Sequence, residues 1–250
     1  MPTLQLRKGQ IDLWLATGLD GDGFVETRKI ESWLSPVERS DLERFVTPTL
    51  RRDYLIARAL VRGVLSRYAN LRPEDWTFKK NSHGKPSVTG GSEVGELCFN
   101  LSHTRGLMAL AVTTGCELGV DVELIAPERA TLEVAEDFFS KSETQALRRQ
   151  EEGSRGDYFF RLWTLKESYI KARGLGLAIP LDAFSFQLTG NEVLFSAEKT
   201  LGEEPEAWRF FEYKPSSKHR LALAIRRGMD EETAIRSVKR VRSFEELMIL

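Results

Sequence analysis

Two carboxylates on one strand face are the first residues that bear chemistry. In Leu118-Gly119-Val120-Asp121-Val122-Glu123-Leu124 the apolar side chains alternate. That is the period of a half-buried strand, so Asp121 and Glu123 project together from the opposite face. Like charges about 6–7 Å apart repel one another, and burial raises the pKa of such a pair. A hard divalent cation relieves the repulsion, and Mg2+ takes one or two carboxylates together with substrate phosphate oxygens. A solvated strand face accounts for the same two residues.

A helix supplies the next set. Phe159, Leu162, Leu165, Tyr169 and Ala172 recur at steps of three and four, marking a buried stripe. Glu167 and Lys171 stand one turn apart and are neighbours on the helix surface. An exposed pair of this kind contributes about 0.3–0.5 kcal/mol on its own. Here Glu167 follows Trp163 by a turn and Lys166 by one residue, and Gly174 and Gly176 then stop the helix. His83-Gly84-Lys85-Pro86 reads as a tight turn that presents Lys85 from rigid backbone at the start of a strand. In Phe99-Asn100-Leu101-Ser102-His103, Phe99 and Leu101 point inward while Asn100 and Ser102 point the other way. Cations, hydroxyls and carboxylates in this combination suit a phosphorylated ligand with a metal, and the residues alone take the reading no further.

Other chemistries are excluded residue by residue. Gly84-Lys85 is no phosphate-binding P-loop, because Lys79 and Pro86 stand where Gly and Ser/Thr are required. Gly174-Leu175-Gly176 follows a helix and is a helix stop rather than a dinucleotide fingerprint. Asp20-Gly21-Asp22-Gly23 has Phe24 where a calcium loop needs its third oxygen ligand. Three histidines with no HExxH spacing exclude zinc hydrolysis, and no G-x-S-x-G elbow carries a nucleophile.

The elements that must position these residues read as one unit written twice. Ser35-Pro36-Val37-Glu38 and Ser140-Lys141-Ser142-Glu143 are capping boxes. Each is followed by an Asp-Tyr pair (Asp53, Asp157) expected to open a second helix. A proline and an alternating strand come next, at Pro73–Phe78 and again at Pro180–Phe186. The last strands are Leu107–Val112 and Leu221–Ile225, and the copies stay about 105 residues apart. The spacing predicts an α+β fold of two similar halves, 1–122 and 123–250, each a helix pair packed on a small antiparallel sheet. A ligand is expected in the groove between them. The segment after Gly228 receives no role.

Composition bounds the rest. In 250 residues, 36 Lys plus Arg against 37 Asp plus Glu leave a net charge of −1, without the basic excess of a nucleic-acid binder. Hydrophobic residues at 41%, with 14 Phe and 5 Trp, are ample for a core and exclude global disorder. No apolar run approaches the roughly 20 residues of a membrane helix, and MPTLQLRKGQ lacks a signal-peptide core. Cys98 and Cys116 fit neither a zinc knuckle nor a redox motif, so a cytoplasmic protein with two reduced thiols is expected.

Taken in order, Gly84-Lys85-Pro86, Phe99-Asn100-Leu101-Ser102-His103, Gly119-Val120-Asp121-Val122-Glu123, Phe138-Phe139-Ser140 and Trp163-Thr164-Leu165-Lys166-Glu167-Ser168-Tyr169-Ile170-Lys171 resemble the Sfp-type 4′-phosphopantetheinyl transferases. The resemblance runs from about Leu34 to Ile225. It implies a pseudodimer of two α+β halves, acting as a monomer with its site at their interface. It also implies transfer of the phosphopantetheine arm of coenzyme A to a serine of an apo acyl- or peptidyl-carrier protein, with release of adenosine 3′,5′-bisphosphate.

By the same resemblance Asp121, Glu123 and Glu167 would hold Mg2+ on the pyrophosphate, and Glu167 would serve as base directly or through a water. Lys171 would contact the phosphates. Lys85 and Pro86 would border the nucleotide, and Ser102 and His103 would bind the phosphates of coenzyme A, His103 the 3′-phosphate. Arg52, or else Arg58, would reach the coenzyme from the first half. A carrier docks on a local basic and apolar patch, for which Lys141, Arg148 and Arg149 are candidates. Two other readings use the same residues: a Mg2+-dependent phosphodiesterase of nucleotide pyrophosphates, and a binding module for carrier domains that performs no chemistry.

Overall fold

The computed structural model describes residues 3–17, 27–90, 94–190, 192–226 and 233–249. Asp20-Gly21-Asp22-Gly23 lies outside the described residues. The first half runs β1 (Gln10–Thr17), α1 (Thr27–Trp33), α2 (Pro36–Glu43), α3 (Pro48–Leu65), β2 (Thr77–Lys80), β3 (Pro86–Thr89), β4 (Leu97–Thr104) and β5 (Leu107–Thr114). The second repeats the plan with β6 (Leu118–Leu124), α4 (Leu132–Phe138), α5 (Lys141–Arg148), α6 (Glu152–Arg173), β7 (Phe184–Thr189), β8 (Glu192–Ala197), β9 (Trp208–Ser216) and β10 (His219–Arg226). The chain then adds β11 (Ala234–Val241) and α7 (Phe244–Ile249).

The duplication is plain in the pairing. In each half the first strand pairs antiparallel with the last, β1 with β5 and β6 with β10, and the last pairs with the strand before it. A separate two-stranded hairpin, β2-β3 or β7-β8, stands beside each sheet. Alternation along the strands sorts the core into three parts. Trp14, Met108, Leu110 and Val112 face the helices of the first half. Ala222 and Ala224 face α6 and the aromatic cluster of the second. Leu13, Leu15, Ala109, Val120, Val122 and Leu223 pack the two sheets against each other.

Both capping boxes form as the sequence spacing requires. Ser35 Oγ accepts from the Glu38 amide at 3.2 Å while Glu38 returns to the Ser35 amide at 2.9 Å. The Ser140–Glu143 pair does the same at 3.3 and 2.8 Å. Each glutamate also holds a buried cation on the long helix of its half. Arg62 reaches Glu38 at 2.5 Å and donates to the Pro73 and Trp76 carbonyls. Lys166 reaches Glu143 at 2.8 Å and donates to the Leu181 and Phe184 carbonyls. The same device, a cation bridging a helix cap to the turn before a hairpin, is thus built twice.

Three expectations change. The long helices do not open at Asp53 and Asp157: Thr47 caps α3 ahead of Pro48, and α6 begins at Glu152. Asp157 instead takes Arg220 and Lys214 from β10 and β9. The division between 122 and 123 falls inside β6, whose sheet partners all belong to the second half. Finally, within the segment after Gly228, to which sequence analysis assigns no role, the elements β11 and α7 pack on the first half. β11 lies parallel to β1, where Arg236 and Ser237 hold the buried Asp12 together with the Tyr68 hydroxyl at 2.7 Å. Phe244 packs on Trp33 at 5.1 Å between ring centroids, and Leu247 covers Gly63 so closely that a Cβ there would lie 1.9 Å from it.

Candidate active site

The halves meet where β4 runs alongside β6, and the join is made by side chains. Asn100 Oδ1 accepts from the Val120 amide at 2.8 Å, Ser102 Oγ from Val122 at 3.3 Å, and Thr104 Oγ1 from Leu124 at 3.2 Å. Alternate residues of β4 therefore occupy the place of a neighbouring strand's carbonyls. Phe99 and Leu101, on the other face, pack into the first core as the alternation predicts.

α6 crosses directly over β6, and Gly119 sets how near it comes. A Cβ at Gly119 would lie 2.0 Å from the Ser168 carbonyl oxygen and 2.4 Å from the Ala172 amide. Backbone cannot yield as a side chain end can. Gly119→Ala is therefore expected to cost about 1–3 kcal/mol by overpacking, read as a lowered Tm with the fold retained.

That close approach brings Lys171 onto Asp121. Lys171 Nζ lies 2.6 Å from Asp121 Oδ1 and 2.8 Å from Ser102 Oγ, and the Ser102 hydroxyl donates to Asp121 Oδ1 at 3.0 Å. Asp121 is 3% exposed, and its Oδ2 is buried with no donor. Such an oxygen is costly unless something positive meets it. Glu123 and Glu167 share the same surroundings. Burial, then the Asp121 charge and also that of Glu167, pushes Glu123 up to about 7. Burial and Asp121 likewise raise Glu167, against the pull of Lys171. The two raised carboxylates and the orphan Asp121 oxygen concentrate negative charge that a cation would relieve. They do not form a closed set of ligands, since among the described residues no three His, Cys, Asp or Glu are so grouped.

Beside this cluster lies a cavity of about 290 Å3, walled by Lys85, Pro86, Asn100, Glu167, Ile170 and Lys171 among others. The turn before Lys85 is clasped to α6. Asn81 Oδ1 accepts from the His83 and Lys85 amides, and its Nδ2 donates to the Gly174 carbonyl at 2.7 Å. Gly84 and Gly174 supply the positive φ angles, +87° and +63°, that this docking needs. Lys85 Nζ donates to the Leu118 and Ala172 carbonyls at 3.0 and 2.6 Å, and burial lowers it to about 8. Its side chain walls the cavity, but its ammonium is committed to the end of α6.

Of the residues singled out from sequence, Asp121, Glu123, Glu167, Lys171, Ser102, Lys85 and Pro86 gather at this seam. His103 does not join Ser102. It follows Ser102 by one residue on a strand, so it is exposed on the face shared with Phe99 and Leu101. Arg52 is half-buried near the start of α3, while Arg58 is turned to Glu38 at 3.7 Å and to the Tyr54 ring. Sequence reasoning missed Asn81, whose only local signal is its place three residues before a turn glycine. It also gave no part to Thr104, or to Asn100 beyond the direction in which it points.

Two family profiles match the chain. Residues 117–225 match the 4′-phosphopantetheinyl transferase superfamily, and residues 25–115 match the 4′-phosphopantetheinyl transferase N-terminal family. Among curated proteins, 4′-phosphopantetheinyl transferase HetI of Nostoc is 31% identical over 224 residues, covering 90% of this chain and 91% of its own. The 4′-phosphopantetheinyl transferase Sfp of Bacillus subtilis is 35% identical over 163 residues, covering 65% of this chain and 70% of its own.

Proposed function

The chain belongs to the 4′-phosphopantetheinyl transferase family, and we propose that it moves the phosphopantetheine arm of coenzyme A to a serine of an apo acyl- or peptidyl-carrier protein with Mg2+. The observation that carries this reading is the contact of Lys171 with Asp121 and Ser102, made beside the orphan Asp121 Oδ2 and the raised Glu123 and Glu167. In the step, the serine oxygen bonds to the phosphorus bearing the pantetheine arm. The bridging oxygen leaves with adenosine 3′,5′-bisphosphate.

Asp121, Glu123 and Glu167 would hold the metal, which supplies charge neutralisation at the pyrophosphate. Lys171 stabilises the negative charge that grows on the phosphoryl oxygens as the bridge breaks. Glu167, made more basic by burial and by Asp121, takes the serine proton directly or through a water. Ser102 orients Asp121 and Lys171. It is through these two, together with any phosphate contact of its own, that it serves the coenzyme. Pro86 and the Lys85 side chain border the nucleotide, and we assign His103 and Arg52 to the outer reach of the coenzyme, His103 to the 3′-phosphate. Among the described residues no helix is long and apolar enough to cross a membrane. We take the enzyme to be a cytoplasmic monomer, a reading that goes with its two free cysteines.

The test is the intact mass of an apo carrier protein incubated with this protein, coenzyme A and Mg2+. A gain of one phosphopantetheine, abolished by EDTA, is expected. Coenzyme A hydrolysed without a carrier would favour a phosphodiesterase, and neither gain nor hydrolysis would leave a binding module.

The raised Glu123 gives the reaction a pH signature. Its folded pKa, about 7, exceeds the ordinary 4.5, so between those values the folded protein binds more protons than the unfolded chain. Metal-free stability therefore falls as pH rises through that window. A cation must displace the Glu123 proton below pH 7, so the half-saturating Mg2+ is expected to rise about tenfold per unit of falling pH there. Activity against Mg2+ concentration at pH 6 and 8 checks this, and equal midpoints would refute it.

A further inference from the structure

The geometry points to Asp157 as a positioning residue that holds Arg220 away from Glu123 and so keeps that carboxylate open to a cation. The inference deepens the proposed function and rests on it. Glu123 and Arg220 are direct partners across the β6-β10 pairing. Their neighbours Val122 and Leu221 turn to the core between the two sheets, so Glu123 and Arg220 share the other face, the one covered by α6. Side chains opposite one another on paired strands start about 4.5–5.5 Å apart at Cβ, a gap that an arginine spans. Left to itself, the Arg220 guanidinium has a carboxylate within reach in Glu123.

Asp157 supplies the other choice. α6 runs over β6 in the opposite direction. Gly119, near the start of the strand, meets Ser168 and Ala172, while beyond the strand's end a Cβ on Gly156 would lie 3.3 Å from Pro127. Asp157 therefore stands over the end of β6 that carries Glu123. Arg220 donates to it with two N–H groups, Nε to Oδ1 at 2.9 Å and Nη2 to Oδ2. Two parallel bonds of this kind fix a guanidinium in direction as well as in place. Lys214, itself exposed, adds only a contact at 3.4 Å to the same carboxylate. Arg161, one turn further along α6, is taken in the same two-bond manner by Glu212 of β9. The arginines on this flank are thus spent on acids outside the seam. An arginine paired with Glu123 would have to be displaced before a metal bound there, and the Asp157 carboxylate removes that competitor.

The test uses Asp157→Ala, Arg220→Gln and the two together. Each is titrated with Mn2+ in the presence of coenzyme A, followed by electron paramagnetic resonance of the free ion, with the transfer rate against Mg2+ alongside. Asp157→Ala releases Arg220 to Glu123, and the half-saturating Mn2+ is expected to rise about fivefold, the worth of an ion pair that the metal must break. Asp157→Asn, which keeps one acceptor for Arg220, should show a smaller rise in the same direction. Arg220→Gln has no guanidinium to misplace, so it and the double variant are expected to stay within about twofold of the wild type. Rescue of one truncation by a second is what a merely structural clamp between α6 and β10 does not give. Equal losses in Asp157→Ala and Arg220→Gln, or a double variant no better than Asp157→Ala, overturn the inference and leave the function standing. Unchanged Mn2+ binding in Asp157→Ala does the same. A wild type that binds no Mn2+ with coenzyme A present overturns the proposed function and this inference with it.

Discussion

Glu167→Gln should lower the rate of phosphopantetheine transfer by about 10²–10⁴-fold, the range of a lost general base, while leaving the protein folded. Gln keeps the size of the side chain and removes the charge. In the metal-free protein that charge is a liability, since burial and Asp121 both disfavour it. Thermal stability above pH 7 without Mg2+ is therefore expected to hold or rise, the opposite of the change in rate. Removing a repelling carboxylate also brings the Glu123 pKa down, because Glu167 contributes to its elevation. Rate, Tm and the pH midpoint of Glu123 thus move in three stated directions. A variant that keeps more than a tenth of the rate would show that Glu167 is neither base nor metal ligand.

The residue immediately before it behaves in the reverse way. Lys166 points into the core of the second half, 1% exposed at its side chain, against Glu143 at 2.8 Å and over the Phe184 ring at 4.4 Å. Lys166→Met leaves the Glu143 carboxylate buried beside only backbone donors, the Ser140 and Phe186 amides. Breaking one side of a buried pair costs about 3–5 kcal/mol. At about 2–4 °C per kcal/mol for a chain of this size, the Tm is expected to fall by on the order of 10 °C. Activity per folded molecule should persist at temperatures well below that transition, because Lys166 touches nothing at the seam. A drop in rate without a drop in Tm would instead make Lys166 part of the chemistry.

Adjacent residues of one motif can therefore be told apart only by structure. What the sequence does reveal is local. The two capping boxes are read within four residues, the β6 alternation within seven, and the α6 stripe from steps along a single helix. Each is found as expected: Phe159, Leu162, Leu165, Tyr169 and Ala172 are all at most 3% exposed. The pairing of Asp121 with Lys171, 50 residues apart, leaves no such trace. It depends on Gly119 letting α6 down onto β6, and the site was legible only because the motif as a whole resembles a known family. The clasp of Asn81 on Gly174 and the return of Arg236 to Asp12 are longer still, spanning 93 and 224 residues. Polar partners so far apart have no periodicity to betray them. His103 came from the resemblance alone, and the structure places it exposed on the face of β4 opposite to Ser102, because neighbours on a strand point to opposite sides.

The return of β11 to β1 has a consequence for synthesis. β1 is translated roughly 220 residues before the strand that covers its edge. At the usual elongation rates of about 5–20 residues per second, that edge stays open for on the order of 10–40 s on the ribosome. During that time Trp33, Gly63 and the flank of β1 lack α7 and β11, and an uncovered strand edge invites pairing with other chains. The first half thus reaches its finished form after the second has been made, so the two repeats, alike in plan, mature in the reverse of the order in which they are written.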